Sequence, residues 1–255
     1  LSFNEFDINP NVIDVYKGIK LFKSFDPDII IAIGGGSILD MAKLIKVFSV
    51  QKNKIEDILE DNIKLKFFSD VPIVAMPTTA GSGSESTHFG VIYHKKSKFS
   101  VASSSMFPNY VILDNELVKS SPCYISHCSL FDALSQAIES LWSNFSNDQS
   151  KMYSENSISL ILKNIDAYIL DKNLKNQSEI ILASNLAGRA INITKTTAPH
   201  ALSYTLTSYF NIPHGHAVAM LMSETARITF GKLNKNKNPI FNKLFDLFVR
   251  KVRVI

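Results

Sequence analysis

Apolar and polar positions along the first half of the chain switch between two periods. Asn11 to Phe25 places Val12, Val15, Ile19 and Phe22 at the spacing of a helix with one buried face. Asp28 to Ile33 is instead a short continuous apolar run that ends in three glycines, which predicts a strand buried on both faces. Ser37 to Phe48 returns to helical spacing through Ile38, Met41, Ala42, Leu44 and Ile45. Val71 to Met76 and Asn109 to Asp114 predict two further strands, and the Lys95–Lys98 stretch between them reads as a turn flanked by hairpin strands. Strand–helix–strand alternation of this kind implies a parallel sheet with helices on its faces. Past Ser120 the strand signal disappears. Leu130 to Trp142, Ser150 to Leu170, Ser178 to Ile193 and Ala217 to Phe230 all carry helical periodicity. The expected architecture is an α/β domain with a parallel sheet over residues 1–120, followed by an all-α domain over residues 121–255. No internal repeat or low-complexity linker separates them.

Composition fits a chain with a sizeable core, since 45% of its 255 residues are hydrophobic and 20% are charged. A formal net charge of +4 is modest. The two lysine clusters, Lys95, Lys96 and Lys98 in the middle and Lys232, Lys235 and Lys237 in the tail, read as solvated faces. Basic and aromatic residues are not interleaved along one element, so a nucleic-acid partner is not expected. Cys123 and Cys128 are too few and too closely spaced for a disulfide framework or paired zinc knuckles, which points to thiols in a reducing cytoplasm. No apolar run reaches bilayer length, and Leu1 to Pro10 is too polar for a signal peptide. The opening on Leu1 rather than methionine suggests a further N-terminal piece.

Two loops carry candidate chemistry in the α/β half. Gly34, Gly35, Gly36 and Ser37 join a predicted strand to a predicted helix. Glycines there allow close backbone approach, and the free N–H groups of the helix N-terminus suit a pyrophosphate, although a tight strand-to-helix turn explains the glycines equally well. Thr78, Thr79, Gly81, Ser82 and Gly83 follow the next strand. Two polar, glycine-rich loops at the carboxyl edge of one parallel sheet favour a nucleotide site.

The helical half offers a ligand set. Asp132 and Gln136, four residues apart, share one face of an otherwise apolar helix, and His200 and His214 follow, the latter in Pro213-His214-Gly215-His216. Aspartate with two histidines is a common donor set for Zn²⁺ or Fe²⁺. Each residue also has an ordinary reading: Asp132 as an N-cap, Gln136 as an amide bonded to backbone, either histidine as a satisfied core residue. Spacing alone does not bring them together.

Gly34-Gly-Gly-Ser-Ile-Leu-Asp40, Pro77-Thr-Thr-Ala-Gly-Ser-Gly-Ser-Glu85, Asp132-Ala-Leu-Ser-Gln-Ala-Ile-Glu139 and Pro213-His-Gly215 resemble, in order and separation, the motifs of the iron-containing alcohol dehydrogenases. The resemblance covers essentially the whole chain, although the chain begins later and stops earlier than the family pattern. It implies a nucleotide-binding α/β domain and a helical domain with the active site in the cleft between them. By that resemblance Gly35, Gly36, Ser37 and Asp40 line the pyrophosphate of NADH or NADPH. Thr78, Thr79 and Ser82 lie towards the nicotinamide, and Asn9 and Lys98 match further cofactor positions. Asp132, His200 and His214 match ligands of Fe²⁺ or Zn²⁺. Gln136 stands where the family commonly has a histidine ligand, and Tyr204 where many members have a second histidine four residues after the first. The stretch from Asn192 through Lys195 and His200 to Tyr204 resembles the phosphonoacetaldehyde reductase branch. Lys195, as a buried or half-buried cation, would hold an anionic phosphonate, with Arg189 a lesser candidate. His216 would donate a proton or support the metal site. The implied partner is a small aldehyde or alcohol, with a homodimer as the candidate assembly. Uncharged alcohols are the alternative substrates. Dehydroquinate synthase-like cyclases, which share His214-Gly-His-Ala-Val-Ala219, are the rival enzyme class, and a pseudoenzyme or binding module is the non-catalytic alternative.

Overall fold

The computed structural model describes residues 1–95, 97–170 and 174–232. Lys96, Lys235 and Lys237 of the two lysine clusters lie outside the described residues. Helix α1 spans Val12–Phe25 and starts on Asn11, whose side chain accepts from the Asp14 N–H at 2.9 Å. Strand β1 (Ile30–Gly34) runs directly into α2 (Gly36–Ser49), followed by a short α3 (Ile55–Glu60) and β2 (Ile73–Pro77). β3 (Phe89–His94) and β4 (Ser97–Ala102) form the antiparallel hairpin expected around the lysine turn. β5 (Tyr110–Val111) completes a parallel sheet of order β1-β2-β5, in which Gly34 stands opposite Pro77. That register puts the two glycine-rich loops side by side.

From Asn115 onward the described residues form helices and no strand: α4 (Asn115–Lys119), α5 (Cys123–Trp142), α6 (Asp148–Leu170), α7 (Leu174–Thr194), α8 (Ala198–Phe210) and α9 (His214–Lys232). The expected α/β-then-helical order is thus observed. One core lies under α5, α6, α7 and α9, built on Leu130, Leu134, Ile138, Ile161, Ile180 and Met222. A second joins α1 and α2 to the hairpin through Val15, Leu44, Val47, Ile92 and Met106. Each such side chain, fully buried, contributes about 1.5–3 kcal/mol. None of the described helices is long and apolar enough to cross a membrane.

Two strand expectations are corrected. β1 is buried on one face only: Ala32 packs against Leu39 and Ala42 of α2, but Ile31 and Ile33 are 59% and 50% exposed. An uninterrupted apolar run gives no alternation from which to count covered faces. The expected strand Asn109–Asp114 shortens to Tyr110 and Val111, both exposed, because β5 pairs with β2 only at Val74 and Ala75. Helices α3, α4 and α8 were not signalled by the apolar pattern. α8 starts after Thr197 with Pro199 in its first turn, and ends at Asn211 in the left-handed region.

Candidate active site

Asp132, His200 and His214 each present one ligand atom, and these atoms lie within 4.8 Å of one another. They come from three helices. Asp132 sits within α5, which begins nine residues earlier at Cys123, so it is not an N-cap. His200 lies in the first turn of α8, and His214 opens α9. The α9 start presses against the α5 backbone at Gly215, where an added Cβ would fall 2.0 Å from the Cys128 carbonyl oxygen. Gly215→Ala is therefore expected to move His214 out of the cluster and destabilise the fold by about 1–3 kcal/mol. Thermal unfolding together with a Zn²⁺ titration checks this.

The ring nitrogens of His200 have separate tasks. Nδ1 faces Glu139 Oε1, and Nε2 lies 3.1 Å from Asp132 Oδ1. Glu139, 0% exposed, also accepts from Thr197 through both its backbone N–H and its hydroxyl, the latter at 2.7 Å. A carboxylate behind one imidazole nitrogen fixes the ring and leaves the other nitrogen for an ion. Burial works against protonation of His200, but Glu139 and Asp132 prevail and lift it to about 9. His214 is pushed down to about 3 by burial, which the nearby Lys98 and His200 reinforce and Asp132 only partly opposes, and so stays neutral. Burial would raise Asp132, yet the His200 hydrogen bond and the nearby His214 and Lys98 hold it below the usual carboxylate range. The result, without an ion, is a carboxylate at Asp132, a protonated His200 and a neutral, half-buried His214.

Gln136 supplies the fitting observation for a metal. It is 3% exposed, and its Nε2 donates to the Ser82 carbonyl at 3.2 Å. Its Oε1 is buried with no hydrogen-bond partner among the described residues. Turning the amide over would set two oxygens against each other, so the orientation follows from the Ser82 carbonyl. An orphaned carbonyl oxygen one turn from Asp132 suits a divalent cation.

The second glycine-rich loop reaches this helix through the Gln136–Ser82 hydrogen bond. Gly35, Gly36, Ser37, Thr78, Thr79 and Ser82 are all half-buried at the carboxyl edge of β1 and β2. Thr78 N–H bonds to Gly34 O at 3.0 Å, and the α2 N-terminus at Gly35 carries no side-chain cap, which leaves N–H groups for an anion. The backbone N–H of Asn9 donates to Ser37 Oγ at 3.1 Å, bringing that early residue to the same edge. Asp40 is held between the second loop and β3. Its two oxygens accept from Ser84 Oγ at 2.5 Å and from Val91 N–H at 2.9 Å.

Beside Asp40 lies Lys43, a residue the sequence did not single out. It is 0% exposed and its Nζ donates to Ser84 Oγ at 2.8 Å, Thr87 Oγ1 at 3.0 Å, Phe89 O at 3.0 Å and the Ser84 carbonyl. Burial pushes this ammonium down to about 8 against the pull of Asp40 and Glu85. Lys43 thus ties α2 to the Thr78–Glu85 loop. Lys43→Met removes one partner of a buried charged network and is expected to cost about 3–5 kcal/mol, with loosened dinucleotide binding; denaturant unfolding and a cofactor titration check both.

The remaining candidates are spread out. Lys98 on β4 sits with its Nζ 3.6 Å from the Tyr204 ring centroid, and Tyr204 stacks on His214 at 6.2 Å. Burial pushes Lys98 down to about 8, with Asp132 and Asp40 opposing. His216 pairs through Nδ1 with the Tyr124 hydroxyl at 2.8 Å. Lys195 corrects the buried-cation expectation. It is exposed, because it follows the last residue of α7 in the left-handed conformation (φ 59°), which turns it out at the helix end. Arg189 is exposed too and bonds Asn185 at 2.9 Å. Cys123 and Cys128 are both free.

Residues 1–115 match the family described as iron-containing alcohol dehydrogenase, and residues 128–249 match the Fe-containing alcohol dehydrogenase family, C-terminal. The chain belongs to the iron-containing alcohol dehydrogenase family. Alcohol dehydrogenase 4 of Saccharomyces cerevisiae is 31% identical over 217 residues, covering 84% of this chain and 56% of that protein. The 1,3-propanediol dehydrogenase of Citrobacter freundii is 32% identical over 228 residues, covering 88% and 58%. The chain therefore spans little more than half the length of these relatives. Among solved structures, the sulfoacetaldehyde reductase of Bifidobacterium kashiwanohense in complex with NAD+ is similar at a TM-score of 0.88 and 29% identity, covering 97% of this chain and 68% of that one. The family's iron-based name agrees with the donor set at Asp132, His200 and His214.

Proposed function

We propose that the protein interconverts a small aldehyde and its alcohol with NADH or NADPH, at a divalent metal held by Asp132, His200, His214 and Gln136. The observation that carries this reading is the cluster of Asp132, His200 and the half-buried His214, with Gln136 one turn from Asp132 bonded to Ser82 of the second glycine-rich loop. The α/β part up to about Ser120 holds the dinucleotide, and the helical part holds the ion. When bound, the ion supplies a Lewis acid for the substrate oxygen and the dinucleotide supplies the hydride. The chain's own residues do the rest. Glu139 keeps His200 in one orientation, and the α2 N-terminus with Ser37 and Thr79 holds the phosphates. Tyr204 and Lys98 close one side of the metal pocket. His216 with Tyr124 offers an exchangeable proton at its edge.

For the substrate we infer an aldehyde with an anionic group, phosphonoacetaldehyde first. Two observations support it: Lys98 has no carboxylate within salt-bridge distance among the described residues while it sits beside the metal pocket, and a structural relative is named for sulfoacetaldehyde. The exposed Lys195 is left as an outer contact at most. The test follows NADH and NADPH oxidation by protein loaded with Fe²⁺ or Zn²⁺, comparing phosphonoacetaldehyde with acetaldehyde. A large preference in kcat/KM for the phosphonate is expected. Equal or faster turnover of acetaldehyde would remove the anionic substrate and favour the uncharged alcohols that the 1,3-propanediol dehydrogenase likeness suggests.

A further inference from the structure

The side chain at position 136 touches both halves of the proposed machinery. Gln136 lies one helical turn from Asp132 on α5, with its Oε1 buried and unpartnered. Its Nε2 bonds the backbone of Ser82 in the dinucleotide loop at 3.2 Å. Ser82 in turn lies against the first residue of α2, since a Cβ added at Gly36 would stand 2.8 Å from Ser82 Cβ and Oγ. Ser82 Oγ also accepts from Ser84 N–H at 3.3 Å, and Ser84 is clamped by Asp40 and Lys43. A contiguous path of direct contacts therefore runs from the metal pocket to the phosphate-facing end of α2.

We propose that Gln136 is a positioning residue that couples metal binding to dinucleotide binding, with its carbonyl oxygen committed to the ion and its amide N–H committed to Ser82. The inference rests on the metal reading above. An amide has a donor and an acceptor fixed in one plane, so an ion that engages Oε1 polarises the amide and strengthens the N–H bond to Ser82. Without an ion, Oε1 stays buried and unpartnered, and the N–H bond to Ser82 holds the amide without that reinforcement. The tie between the loop and α5 is then weaker. Linkage makes the effect reciprocal: the dinucleotide must tighten the ion by the factor by which the ion tightens the dinucleotide.

The test measures binding rather than turnover. Zn²⁺ affinity is read by competition with a chromophoric chelator, with and without the more tightly bound of NADH and NADPH. Dinucleotide affinity is read by nucleotide fluorescence, with and without saturating Zn²⁺. In the wild type each ligand is expected to tighten the other by about 5- to 50-fold, within the usual range of coupling between sites. Gln136→Glu retains an oxygen for Zn²⁺ but has no N–H for Ser82, so it is expected to bind Zn²⁺ while both factors fall to about one. Gln136→Leu, which lacks both functions, is expected to show the same loss of coupling at saturating Zn²⁺. A wild type that binds both ligands independently would overturn the proposal, as would undiminished coupling in Gln136→Glu. A wild type that binds no Zn²⁺ or Fe²⁺ at all would overturn the metal reading itself, an outcome distinct from either.

Discussion

His200→Ala is expected to lower affinity for Zn²⁺ or Fe²⁺ by about 10²–10³-fold, the share of one ligand among four in a site of about 10–16 kcal/mol. The substitution removes the imidazole that faces Asp132 and also leaves Glu139 Oε1 without its partner in a fully buried position. Turnover should fall with metal occupancy at low metal and stay low at saturating metal, since the remaining ligands would hold an ion in altered geometry. Chelator competition gives the affinity, and metal analysis of the purified protein gives the occupancy. Asp132→Ala should behave similarly, with a larger loss of charge complementarity because Asp132 is the anionic member of the set. Wild-type metal affinity in either variant would remove these residues from the centre.

Glu139→Gln carries the second large effect. Glu139 is the hub behind the metal pocket, accepting from His200 and from both donors of Thr197, whose hydroxyl also receives Trp142 Nε1 at 2.8 Å. Glutamine keeps the volume but replaces one acceptor oxygen with a donor. Either the His200 ring or the Thr197 N–H then meets an N–H instead of an oxygen. Orienting partners of metal-bound histidines are typically worth 10–100-fold in affinity or activity, and that range is expected here. The loss should appear in metal affinity and kcat while the dinucleotide affinity of the metal-free protein remains near wild type. Unchanged metal affinity would mean that Glu139 only fills space.

How far the chain could be read in advance depends on what each feature requires. β1, β2 and the loops after them were legible because a buried strand followed by glycine leaves a mark within ten residues. The bare outer face of Ile31 and Ile33 was not, since an apolar run says nothing of what lies above it. Asp132, His200 and His214 could be nominated as ligand types, but their meeting depends on α5, α8 and α9 packing over long separations in sequence. Glu139 left a faint signal, a carboxylate one turn beyond Gln136 inside an apolar helix, and its role became visible only with Thr197 and His200 around it. Lys43 left none. A lysine in a helix ordinarily reads as solvated, and only the carbonyl and hydroxyl groups of the Ser84–Phe89 segment make its burial tolerable. Lys195 went the other way, because the end of α7 falls one residue before it and turns it towards solvent.

The proposed chemistry is metal-dependent, dinucleotide-linked aldehyde reduction at Asp132, His200 and His214. It is tested most directly by stripping the protein of metal, adding back Fe²⁺ or Zn²⁺ in steps, and recording NADH or NADPH oxidation with a small aldehyde at each step. No oxidation is expected in the stripped protein, with a rise that saturates at one ion per chain and no rise in His200→Ala over the same range. Oxidation that proceeds at full rate without metal, or that responds to metal equally in His200→Ala, would contradict it.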